Sequence, residues 1–354
     1  MVLEFVVLGE FKVIEIDYLK GSVEYMNPTS LTFGVYPLGA VGTPSGLAKG
    51  PIDDFDKIQL ALKDLQGDAK RVIPRMYIVY TKEWESEMLS NIAFFRDDSL
   101  LGDLCIVLGD WTKKQGSDIE LDHWLNFIKK VINDFGSHLG SLQITNEPNL
   151  PFMEGSNPHI IQALVEGVVV AKKQAQKLKL PINIGFGSVP SGDASVPYFW
   201  ENLTKEGNDK FVKYVDFIGH NFYVDVFGEQ TLALQEVPSV VEHTLRSLRE
   251  VDLVKAGIPN SVPIRITENG WSTGKKSISD LDRSYEHQSK VLETVIRTVY
   301  SLRSELNISH FELFGLRDAN SSIDDLFHQF GVMRDDYSPK PAYYTFKRLI
   351  RELG

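Results

Sequence analysis

Two stretches of the chain, Ile144-Thr145-Asn146-Glu147-Pro148-Asn149 and Ile266-Thr267-Glu268-Asn269-Gly270-Trp271, each place one glutamate where an apolar, β-branched run gives way to a turn. A carboxylate in that setting is expected at a rigid strand end facing a cleft. Two such groups held opposite each other can cleave a glycosidic bond, one protonating the leaving oxygen and the other attacking the sugar carbon. A separation of about 5–5.5 Å would leave no room for an attacking water, so the sugar would pass through a covalent glycosyl-enzyme and its stereochemistry would be retained. With Glu268 ionised, its field would hold the proton on Glu147; once Glu268 is esterified, Glu147 would release that proton more easily and could then activate water. No metal and no other cofactor is required by this chemistry.

From residue 31 onward, short β-branched runs alternate with longer segments of helical periodicity, the pattern of parallel strands joined by crossover helices. Strands are expected at 31–36, 71–79, 104–108, 141–146, 182–187, 215–223, 262–268 and 308–315. Helices are expected near 53–65, 85–95, 120–135, 159–179, 196–205, 237–256, 283–304 and 341–353. Trp124, Leu125, Phe127, Ile128, Val131 and Ile132 form the stripe that a barrel helix lays on its sheet. Pro74 blurs the limits of the second strand, because a central strand needs that N–H. Eight strand–helix units with no Gly-rich dinucleotide fingerprint after the first strand predict a closed (β/α)₈ TIM barrel over residues 29–354. Residues 1–28 read as a short N-terminal β extension packed on it. Barrels of this kind carry their chemistry at the C-terminal strand ends, so Glu147 after strand four and Glu268 at the end of strand seven would share one mouth.

These residues resemble clan A of the retaining glycoside hydrolases. The three places most similar to its β-glucosidase members are Ile144–Asn149, Asp216-Phe217-Ile218-Gly219-His220-Asn221-Phe222-Tyr223 and Ile266–Gly270. The resemblance implies that Glu147 is the general acid/base and Glu268 the nucleophile, with Asn146 on the sugar 2-hydroxyl. It further implies that Arg75 and Tyr223 contact the nucleophile carboxylate and that Asn221 faces the same subsite. The chain departs from β-glucosidases in lacking their strand-one Gln and their strand-three His-Trp pair, showing Gly109-Asp110-Trp111 instead. Phe314 stands in strand eight where the clan often has a tryptophan.

Sugar C–H faces favour an aromatic plate, for which Trp271 and Trp111 are the sequence choices, each set against an ordinary place in the core. His220 reads equally as a pocket group or a wall residue. Asp318 reads as a ligand of a remote hydroxyl, a turn cap or a partner of Arg317.

The whole-chain balance of 37 basic and 48 acidic residues, a net charge of −11, opposes nucleic-acid phosphates and anionic membranes and suits a neutral oligo- or polysaccharide. Cys105, the single cysteine, lies in an apolar run and reads as a small core residue. No apolar run is long enough for a membrane span, and Met1–Glu10 lacks a basic start, so a cytoplasmic location is expected. Two alternatives stand beside hydrolysis: a transglycosylase using the same site, and a catalytically weak carbohydrate-binding barrel.

Overall fold

The fold is that of a computed structural model, which describes residues 29–43, 46–68, 72–80, 102–109, 121–192, 195–227, 232–275 and 283–354. The expected extension at 1–28, the helix near 85–95 and Trp111 lie outside the described residues. Eight parallel strands close into a barrel: β1 (Thr32–Tyr36), β2 (Val72–Tyr80), β3 (Gly102–Leu108), β4 (Leu139–Ile144), β5 (Asn183–Phe186), β6 (Phe217–Asn221), β7 (Ile264–Asn269) and β8 (Ile308–Phe314). Each pairs with its neighbours in sequence, and β8 closes on β1 with Thr32 opposite His310 and Tyr36 opposite Phe314. A short hairpin, Val41–Thr43 with Gly46–Ala48, follows β1.

The outer layer comprises α1 (Phe55–Gln66), α2 (Leu121–Phe135), α3 (Ile160–Leu178), α4 (Phe199–Val212), α5 (Val237–Arg246), α6 (Tyr285–Leu306) and α7 (Pro341–Leu353). In α2 the sequence stripe is buried except for Leu125, which is partly covered. Burial of each large apolar side chain contributes about 1.5–3 kcal/mol, and this seals the helix onto the sheet. The expected helix at 237–256 is interrupted: α5 widens into a π-helical turn over Ser247–Asp252 before a last turn at Leu253–Lys255. Arg249 lies buried in that turn and donates to the Leu306 and Val262 carbonyls, tying it to the base of the sheet. Pro74 does sit within β2, opposite Val35 of β1.

The barrel interior is not purely apolar. Asp103 on β3 pairs with Arg265 on β7 at 3.3 Å, and Glu312 on β8 pairs with Arg75 on β2 at 3.3 Å. Gly34 on β1 makes room for this layer, since a Cβ there would lie 2.8 Å from the Glu312 side chain. Cys105 is buried as expected, but among polar groups: Gln143 donates to its sulfur at 3.3 Å. No helix among the described residues is long and apolar enough to cross a membrane.

Candidate active site

Strict alternation along β7 would send Arg265 and Thr267 inward and Glu268 outward. The ladders show why it does not. On the β6 side His220 pairs with Ile266 and the next residue, Asn221, pairs with Glu268; on the β8 side Phe311 pairs with Ile266 and Leu313 with Asn269. Both registers place one extra residue in β7 after Ile266, a bulge that lets Thr267 and Glu268 face the interior together. Thr267 donates to the Asn221 Oδ1 at 2.9 Å.

At the end of β4 the re-aiming is done by the backbone. Thr145 has φ = 65°, an uncommon conformation for a β-branched residue, and it turns Asn146 and Glu147 toward the mouth. Gly187 permits the close passage of β5 beside this turn, because a Cβ there would lie 2.0 Å from the Asn146 carbonyl oxygen. Asn149 then clamps the next loop, donating to the Val189 carbonyl at 2.7 Å and accepting from the Val189 N–H at 2.9 Å.

These devices bring together five of the residues singled out in the sequence. The Asn221 amide donates to Asn146 Oδ1 at 3.1 Å and to Glu147 Oε1 at 3.2 Å, while its own oxygen is held by Thr267. That arrangement directs the Asn146 amide nitrogen away from Asn221, where it can serve as a donor. Tyr223 donates to Glu268 Oε2 at 2.8 Å.

Arg75 is placed differently from the expectation. It makes no ion pair with Glu268; its guanidinium donates to Tyr77 at 2.8 Å, Gln143 at 3.1 Å and Glu312 at 3.3 Å. Tyr77 is the group that reaches the carboxylate, donating to Glu268 Oε1 at 2.7 Å. The reason is position along the strand. Arg75 and Tyr77 share the inward face of β2, and Tyr77 is two residues nearer the mouth.

His220 belongs to the wall. It is fully buried, with Nδ1 2.9 Å from the Ser188 hydroxyl, and burial holds its pKa down at about 3, so it is neutral. Trp271 is 3% exposed, its ring 5.0 Å from that of His287 and 4.8 Å from the Arg283 guanidinium. Packed in this way, it offers no open face for a sugar. The aromatic surface beside Glu268 comes instead from Phe314, which stacks on Tyr36 at 5.0 Å and meets Tyr223 and Phe330 edge-on at 6.4 and 5.7 Å. Asp318 is fully buried in an ion pair with Lys340 at 2.8 Å and accepts from the Ser321 hydroxyl and the Gly331 N–H, each at 2.9 Å, while Arg317 pairs with Asp53 instead.

The electrostatics of the mouth are asymmetric. Neither glutamate has an ion-pair partner among the described residues. Burial, and then the charge of Glu268, push the Glu147 carboxyl up to about 8, against a smaller opposing effect of the Asn221 hydrogen bond. Burial and the Glu268 charge also keep the Tyr223 phenol protonated well above its usual range, and they do the same for Tyr77 against the nearby Arg75. Both phenols therefore remain donors at neutral pH.

Two groups of this site escaped the sequence reading. Tyr77 was legible in principle, from the two-residue alternation starting at Arg75. Glu154 was not: it lies in a loop, seven residues past Glu147, with no periodicity to mark it. Its buried carboxylate accepts from the backbone N–H groups of Leu108, Asn146 and Glu147, each at 2.6 Å.

No protein-family model matches the sequence, and no curated relative does. Solved structures do share its fold. A family 39 glycoside hydrolase from the gut symbiont Bacteroides cellulosilyticus is 14% identical with a TM-score of 0.55, over 94% of this chain and 65% of that one. A β-D-glucuronidase from Dictyoglomus thermophilum is 14% identical with a TM-score of 0.58, over 100% of this chain and 54% of that one. An active-site mutant of a β-1,3-glucanosyltransferase from Rhizomucor miehei, solved with laminaritriose, is 14% identical with a TM-score of 0.56, over 88% of this chain and 96% of that one. The likeness is one of fold: a (β/α)₈ barrel of the kind that glycoside hydrolases use. The chain spans about two thirds and about half of the first two neighbours.

Proposed function

We propose that the chain is a retaining β-glycoside hydrolase that cleaves a neutral β-linked saccharide by double displacement. The carrying observation is the pairing at the mouth: one glutamate held by two phenols, and a second, bridged to Asn221, whose carboxyl keeps its proton to about pH 8. A general acid and a nucleophile need that division of labour. The fold shared with a glycoside hydrolase, a glucuronidase and a glucanosyltransferase supports the reading.

In the first step a Glu268 oxygen attacks the anomeric carbon as the glycosidic C–O bond breaks, and the Glu147 proton passes to the leaving oxygen. In the second, Glu147, now a carboxylate, takes a proton from water as that water attacks the anomeric carbon and displaces Glu268. Tyr77 and Tyr223 aim the nucleophile, and Arg75 acts behind Tyr77. The Asn146 amide is the donor for the sugar 2-hydroxyl, and the Phe314 and Tyr36 rings supply apolar surface beside it. An acceptor sugar in place of water gives transglycosylation from the same intermediate.

The test is a panel of aryl β-glycosides with wild type, Glu147→Ala and Glu268→Ala. Azide is expected to rescue Glu268→Ala as a glycosyl azide of inverted configuration and Glu147→Ala as one of retained configuration. The opposite pattern exchanges the two roles, and a wild type that binds saccharides but turns over none identifies a binding barrel.

A further inference from the structure

The pairing of β3 with β4 ends at Ile106 opposite Ile144, and the left-handed turn at Thr145 carries the next residues away from the ladder. This leaves the N–H groups of Asn146 and Glu147, and that of Leu108 at the end of β3, without strand partners. Buried amides in that state are costly unless another acceptor is supplied. Glu154 supplies it. One oxygen takes Leu108 and the other takes Asn146 and Glu147, all at 2.6 Å, so a single side chain does what two strands would otherwise do for each other.

The loop is built to deliver that carboxylate. Glu154–Ser156 forms a 3₁₀ turn, and a Cβ on Gly155 would lie within 2.6–2.8 Å of Val196, Leu150 and Pro148, so the chain beside Glu154 is tightly enclosed. The titratable groups that face Glu154 are Glu147, Glu268 and Cys105, and no cation pairs with it among the described residues. Burial pushes its carboxyl up to about 7, against the three backbone hydrogen bonds that favour the charge, so it is ionised on the basic side, where Glu147 titrates. A structural acceptor for three neutral amides has no need of a charge so close to two other carboxylates; an amide or hydroxyl would meet less repulsion.

We propose that Glu154 is a positioning residue for the acid, its carboxylate fixing the backbone from which Asn146 and Glu147 project and adding a negative charge beside the proton that Glu147 must keep. The proposal rests on the role of Glu147 given above. Two consequences separate it from a purely structural part. First, the place of the acid matters most when the leaving group needs a proton. Second, the charge of Glu154 raises the proton affinity of Glu147, as burial and Glu268 do more strongly.

The test uses the full chain and Glu154→Gln. An amide keeps one acceptor oxygen but turns N–H groups toward at least one of the backbone donors. With a good aryl leaving group kcat is expected to fall less than about 10-fold. With an alkyl leaving group it is expected to fall about 100-fold, the scale of a small misplacement of a catalytic group, with KM little changed. The basic limb of kcat/KM should move to lower pH by roughly half a unit or more. Equal losses on both substrates with an unmoved limb would overturn the proposal. Hydrogen exchange on the wild type gives a reading independent of both turnover and the variant's folding: slow exchange of the Asn146 and Glu147 amides supports it, and exchange at the rate of an open loop rejects it. If the wild type cleaves no glycoside while those amides are protected, the functional assignment fails and the anchoring part of the inference stands.

Discussion

Midway along the barrel, Glu312 faces Arg75 and Asp103 faces Arg265, whereas at the mouth Glu147 and Glu268 flank Asn221 with neutral donors only. All four groups are carboxyls, yet the lower layer sets each beside a cation and the upper layer sets neither; the match is incomplete at Glu312, whose carboxyl is pushed up to about 8 by burial and by Asp103 against the opposing Arg75. Charge left unpaired in a low-dielectric site is destabilising, so the lower layer serves the fold, and the upper one holds the electrostatic bias that the proposed chemistry would use. Arg75 and Tyr77 join the two, the first anchored in the ionic layer and the second reaching Glu268.

The largest expected break of this contrast is Glu268→Ala, which should lower kcat by more than about 10⁴-fold, the scale of losing a covalent nucleophile, and leave the thermal midpoint unchanged or higher. Arg75→Met should act the other way round. It removes the donor that Tyr77, Gln143 and buried Glu312 share and should cost roughly 1–3 kcal/mol in a denaturant titration. An equal stability loss in both variants would erase the distinction between the layers.

Glu147→Gln should reduce turnover by about 10²–10⁴-fold on substrates with poor leaving groups. It also tests the bias through pH. The folded pKa of Glu147, about 8, lies above its ordinary 4.5, so the protonated form is the one the fold favours. Its contribution to stability is fully present below about pH 4.5 and is lost as pH rises toward 8. Glu147→Gln should therefore gain on wild type progressively across that window and keep a constant lead above it. Parallel curves for the two proteins would mean that Glu147 titrates normally. In wild type, the same group predicts a basic limb of kcat/KM near pH 8.

A smaller effect is expected from Tyr77→Phe: a loss of roughly 10- to 100-fold in kcat/KM, the worth of one hydrogen bond to a charged group. Tyr223→Phe should match it, since each phenol serves one oxygen of Glu268. His220→Asn is the smallest, with kcat/KM within about 3-fold of wild type, because a neutral wall residue makes no contact with the reacting groups.

The eight-strand order was readable because it rests on local regularities: β-branched runs, helical stripes such as Trp124 to Ile132, and turn residues between them. The two glutamates were readable for the same reason, as acids at the ends of such runs. Arg75 shows where that reading stopped. Its strand and its inward face follow from alternation, but which of Arg75 and Tyr77 reaches Glu268 depends on how far each stands below the mouth, and that is set by the tilt and stagger of the closed barrel. Trp271 failed for a related reason. An aromatic just after a strand can face the cleft or the helices, and only the packing of Arg283 and His287 settles which.

By itself, then, the order of residues determined the eight-fold alternation and the strand ends that carry Glu147 and Glu268. Tertiary structure decided the rest: the bulge that turns Glu268 inward, the left-handed turn at Thr145, and the capture of the freed amides by Glu154. The physical reason is range. Periodicity is encoded between near neighbours along the chain, while a register shift or an orphaned N–H finds its partner only after distant strands have closed the barrel.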